Sequence, residues 1–147
     1  MQEKISHIFS SYIYACSTRK TAIHKSFQTG SVFYYNFDQE CHNPSDLCAG
    51  HACHGCEVSY IFGDEKNFKE TSDFMTEMQF YWASFAKYGT PNTFSPYPDW
   101  MVYDSSWSGE KDTLWLRNAS VRSVADPDST NTDNCDFWDS LNIYLKF

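Results

Sequence analysis

Apolar positions first recur with a helical period over residues 3–15, where Ile5, Ile8, Phe9, Tyr12 and Ile13 fall on one stripe. Ser17 or Thr18 then offers a cap for a second, short helix carrying Ala22, Ile23 and Phe27, which Gly30 ends. Residues 31–37, Ser-Val-Phe-Tyr-Tyr-Asn-Phe, read as a strand buried on both faces. A polar loop bearing cysteines follows, from Asp38 to Cys53, and Cys56 leads into a strand-like apolar run. The clearest helix spans residues 72–88. Thr71 and Ser72 offer caps, Phe74, Met75, Met78, Tyr81, Trp82 and Phe85 make its apolar face, and Gly89 and Pro91 stop it. Residues 100–103 and 113–117 are strand candidates. A turn-rich linker at 126–131 precedes a terminal helix over 133–145. No repeat is visible, and the element order predicts an α/β layered architecture. So aromatic a helix has too little sheet to cover it, which marks the chain as part of a larger domain.

Composition narrows the function classes. The chain has 147 residues, 41% hydrophobic and 18% aromatic, within the range of one folded domain. A net charge of -8 leaves no basic patch for phosphates, so no nucleic-acid partner is expected. No apolar stretch approaches the roughly 18 residues of a membrane span. The polar start, Met1-Gln2-Glu3-Lys4, lacks the apolar core of a signal peptide. Yet six cysteines and a glycosylation acceptor at Asn118, in Asn118-Ala119-Ser120, suit an oxidising compartment. These signals oppose each other: either the chain is cytosolic with free thiols, or its natural N-terminus lies upstream. Localisation stays open.

The densest chemistry lies at His51-Ala52-Cys53-His54-Gly55-Cys56-Glu57. A zinc cage wants paired short spacings; Cys53-x-x-Cys56 supplies one pair, but Cys41, Cys48 and the nearby histidines make a ragged second. No metal and no cofactor is therefore assigned. A disulfide reading fits better: Cys48 and Cys53 close a small ring, with Cys41 competing for either partner. Such a bridge would stiffen the loop that delivers His54. A histidine there, with Gly55 giving backbone room, suits a general base, one nitrogen toward a nucleophile and the other toward a carboxylate.

The run His54-Gly55-Cys56-Glu57-Val58-Ser59-Tyr60-Ile61-Phe62-Gly63 resembles the histidine motif of type-B carboxylesterases and cholinesterases, His-Gly/Ala-x-Glu-Leu-x-Tyr/Phe-Val-Phe-Gly. The likeness continues in the family's order over most of the chain. Residues 11–19, ending Cys16-Ser17-Thr18-Arg19, resemble the segment that ends Cys-Pro-Thr-Arg, and residues 32–38 a Val-Tyr-x-Tyr-x-Phe-Asp strand. Residues 78–92 are similar to Met-x-x-Tyr-Trp-x-x-Phe-Ala-x-x-Gly-x-Pro-Asn, the most specific stretch. Trp100-Met101-Val102-Tyr103 stands for Trp-Pro-x-Tyr with the proline lost, and Cys135-Asp136-Phe137-Trp138 for the closing Cys-x-Phe-Trp.

The resemblance implies that residues 1–147 are the C-terminal part of a carboxylesterase type-B domain. The implied fold is the C-terminal part of an α/β-hydrolase fold, an incomplete sheet with flanking helices. It implies ester hydrolysis through a Ser-His-Glu triad, with His54 as the triad histidine and Glu57 as a supporting residue rather than the triad acid. It also implies a disulfide between Cys16 and Cys135, and a family that is usually secreted. No serine here fits the nucleophile pattern Gly-x-Ser-x-Gly, and the glycine-rich oxyanion segment and the triad-acid segment are absent. The expectation is a fragment inactive alone, taking a small-molecule ester only when an N-terminal part completes it. Self-association through uncovered apolar surface is expected of it. The alternative is a non-catalytic cholinesterase-like remnant or binding module.

Overall fold

The computed structural model describes residues 2–41, 48–63, 72–103, 112–117, 120–125 and 129–141. The chain opens with α1 (Gln2–Phe9), a π-helical turn (Ser10–Ala15) and α2 (Cys16–Ser26), which run on without a break. Two helices with a cap at Ser17 or Thr18 were the expectation. Instead Phe9, Ala15 and Cys16 all keep right-handed helical dihedrals. Ser17 Oγ donates back to the carbonyls of Ile13 at 2.6 Å and Tyr14 at 3.0 Å, so its hydroxyl is satisfied inside the helix. The expected apolar stripe does not become a core face either. Ile5, Ile8, Phe9 and Ile13 are exposed, while Tyr12 packs on Trp138 with ring centroids 5.0 Å apart.

β1 (Tyr34–Phe37) is shorter than the strand expected over 31–37, and each of its residues is half-buried rather than covered on both faces. β2 (Asp112–Arg117) lies parallel to it, Tyr34 opposite Thr113 and Phe37 opposite Leu116. β3 (Ser120–Ala125) returns antiparallel to β2, giving the sheet order β1-β2-β3. β3 had no counterpart among the sequence expectations. Residues 100–103, expected as a strand, are irregular; Tyr103 N–H donates to Val32 C=O at 2.7 Å, a single bond to the chain just before β1. Asn118 lies outside the described residues, as does Thr71.

The apolar run after Cys56 is helical, not strand-like: α3 (Cys56–Phe62). Glycine makes this possible at both ends, since Gly55 and Gly63 hold φ of 83° and 74°. α4 (Ser72–Tyr88) follows, and α5 (Ser129–Ser140) starts earlier than the expected 133, with residues 142–147 outside the described set. The core joins Phe74, Met75, Met78 and Tyr81 of α4 to Tyr60 of α3, Leu114 and Leu116 of β2, and Trp100. Phe85, assigned to the apolar face of α4, is instead 47% exposed near the helix end.

Two buried phenols of the core are hydrogen-bonded: Tyr81 donates to Pro98 C=O and Tyr60 to Glu40 C=O. Burial raises the phenols of Tyr35, Tyr60 and Tyr81 above the ordinary 10.0, and nearby carboxylates add to each, Glu57, Glu40 and Glu77 in turn. The folded chain thus binds these protons more tightly than the unfolded chain does. Their contribution to stability is complete below pH 10.0 and is lost as the pH rises above it. Urea unfolding across that boundary should show a falling midpoint together with rising phenolate absorbance. A midpoint that stays constant while the phenolates form would refute the assignment.

Candidate functional site: a histidine turn braced by disulfides

The loop after β1 starts at the carboxyl end of a parallel strand pair, where open α/β sheets place their ligand crevices. Asp38 N–H donates to Leu116 C=O at 2.8 Å, and the Asp38 carboxylate meets Arg117 at 3.2 Å, which fixes the exit direction. Glu40 then works at both ends: its carbonyl accepts from Tyr60 OH at 3.2 Å and its carboxylate from Gly50 N–H at 2.7 Å. Further along, Cys41 N–H donates to His51 C=O and His51 N–H to Cys48 C=O, folding the loop on itself.

Two disulfides clamp this arrangement. Cys48 is bonded to Cys53, and Cys41 to Cys56. The second bond ties the chain leaving β1 to the first residue of α3. His54 therefore sits between two bonded cysteines, one residue after Cys53 and two before Cys56. Cys56 N–H closes a turn onto Cys53 C=O at 3.1 Å around it, and Gly55 supplies the left-handed backbone that turn needs. The sulfurs of Cys41, Cys48 and Cys53 lie within 4.8 Å of one another. Each is consumed in a disulfide, so none offers the thiolate that a zinc site requires.

The His54 side chain is exposed, and its ring stacks on that of Tyr14, centroids 4.8 Å apart and planes 22° from parallel. Glu57 is half-buried in the first turn of α3, where its charge reaches the Tyr35 phenol inside the sheet. The remaining disulfide, Cys16–Cys135, joins α2 to α5 with both residues buried. Sequence reasoning left Cys41 without a fixed partner, and it missed Tyr14 altogether. No periodicity or motif in the chain singles that tyrosine out.

Comparison with known proteins decides the family: the carboxylesterase family model matches residues 1–138. The chain belongs to the carboxylesterase family. Acetylcholinesterase 1 of Caenorhabditis briggsae is 31% identical to this carboxylesterase-family chain over 87 residues, which are 55% of the chain and 14% of that protein. The crystal protein of Dictyostelium discoideum is 24% identical over 155 aligned positions, covering 97% of the chain and 27% of its own length. Among solved structures, a PNB esterase superposes with a TM-score of 0.73 at 21% identity, over 92% of this chain and 27% of its own. A Geobacillus stearothermophilus carboxylesterase gives a TM-score of 0.65 at 23% identity, over 87% and 26%. These structures show the α/β-hydrolase fold. The carboxylesterase-family chain spans only about a quarter or less of the relatives it matches.

Proposed function

We propose that this chain is the C-terminal, histidine-bearing part of a serine carboxylesterase, and that His54 is its general base. The observation that carries the reading is where His54 sits: exposed on a doubly clamped turn, in the loop leaving the carboxyl end of β1. In this role the imidazole takes the proton of a serine hydroxyl as that oxygen attacks the ester carbonyl. It then passes the proton to the departing alcohol, and repeats the cycle with water to free the acid. Glu57 supports the turn from the first turn of α3 rather than serving as the triad acid. Serine, acid and oxyanion donors would come from an N-terminal part, because no serine in this sequence has the nucleophile-elbow pattern.

Oxyanion donors are worth on the order of a hundredfold or more each in rate, so His54 without them and without a nucleophile leaves no triad chemistry. The 147-residue chain should turn over an aryl ester no faster than its His54→Ala variant. A saturable rate that depends on His54 would mean that the chain is complete in itself. The reading is tested directly by extending the transcript upstream of the Met1 codon. An in-frame Gly-x-Ser-x-Gly with a glycine-rich segment before it supports the proposal. In-frame stops or unrelated sequence overturn it in favour of a non-catalytic remnant.

A further inference from the structure

The stack between Tyr14 and His54 joins two parts of the chain that share no secondary-structure element. Tyr14 lies in the π-helical turn, where Cys16 N–H bonds back to Ser11 C=O, five residues earlier. The longer turn changes which face each following side chain occupies, and single π turns inside α-helices are frequent at functional sites. Here the helix serves two neighbours at once. Tyr12 packs on Trp138 and Cys16 bonds Cys135, so those residues hold the helix against α5. Tyr14, between them in sequence, meets His54 instead.

Tyr14 is 48% exposed and His54 is exposed as well, so their contact removes little apolar surface from water. Its consequence is orientation. The two disulfides hold the backbone around His54, but they leave the imidazole free to turn about its own side-chain bonds. An aromatic ring lying against one face restricts that freedom and leaves the ring edge, which carries both nitrogens, uncovered by the tyrosine. We propose that Tyr14 is a positioning residue for His54: the π turn delivers its ring against the imidazole and sets the ring's orientation. The inference rests on the reading of His54 as the working base and adds the residue that aims it.

The test uses the 147-residue chain with isotope-labelled histidine, His54 being assigned by the signal lost in His54→Ala. In the native chain, cross-relaxation between the Tyr14 and His54 ring protons is expected, with the His54 ring protons displaced upfield by the tyrosine ring current. Tyr14→Phe should keep that displacement. Tyr14→Leu should return the His54 protons to their solvent-exposed position and leave the other histidines unmoved. Loss of the displacement in Tyr14→Leu with rescue in Tyr14→Phe supports the proposal. Absence of ring-to-ring cross-relaxation in the native chain overturns it, and that measurement needs no variant to fold. The readout involves no ester: a failed esterase reading leaves the ring contact in place, and a missing contact leaves the role of His54 to the transcript.

Discussion

Replacing Cys16 and Cys135 together by alanine is expected to destabilise the chain by about 4–5 kcal/mol, the loop-entropy value for a closure of this size. The bond spans 119 residues, so it removes much of the freedom of the unfolded chain. Both cysteines are buried at 1% exposure, which makes alanine a better replacement than serine, whose hydroxyl would need a partner there. The contacts that remain between α2 and α5 are weak substitutes. The ion pairs Arg19–Asp136 and Lys20–Asp139 are each 3.4 Å long with at least one exposed partner, and such pairs contribute about 0–1 kcal/mol. Single domains are stable by only about 5–15 kcal/mol, so this one loss takes a large share. Urea unfolding of the double variant under non-reducing conditions isolates the effect from the two loop disulfides. A change below about 1 kcal/mol would show that the amino-terminal helix docks without its covalent tie.

Trp100→Ala is expected to cost about 3–5 kcal/mol, the range for truncating a large buried aromatic. Its ring lies within 6.0 Å, centroid to centroid, of Phe33, Tyr35, Tyr81 and Trp82, so one side chain joins the sheet side of the core to α4. It is held from three directions. The indole N–H donates to Tyr34 C=O at 3.0 Å, while Asn92 accepts from the Trp100 backbone N–H and donates to its carbonyl, both at 2.9 Å. Trp100→Phe separates the contributions: it keeps part of the packing and drops the hydrogen bond, for a loss nearer 1 kcal/mol plus the cavity. Thermal or urea unfolding of both variants checks the order. Equal losses would mean that the hydrogen bond to β1, not the aromatic packing, is what Trp100 supplies.

What the linear chain determined about this protein is largely what neighbouring residues decide among themselves. The span of α4 was legible because an apolar period of helical length ends at Gly89 and Pro91, and Phe74, Met75, Met78 and Tyr81 are indeed core residues. The family was legible too, through ordered motifs that include His54 and Trp82. Local signals misled where two structures compete for the same residues. Ser17 looked like a helix start, yet with neither glycine nor proline from Gln2 to Ser26 nothing forced a break. The run after Cys56 looked like a strand, but glycines at both ends let it close as a short helix, with Tyr60 turned into the core. Other features belonged to the tertiary structure alone. The pairing of Cys41 with Cys56, the docking of β3 on β2 and the meeting of Tyr14 with His54 depend on how distant segments approach, which no window of sequence contains. Periodicity reports which face of an element is apolar; only packing decides what, if anything, covers it, and here it left Ile5, Ile8 and Phe9 in water.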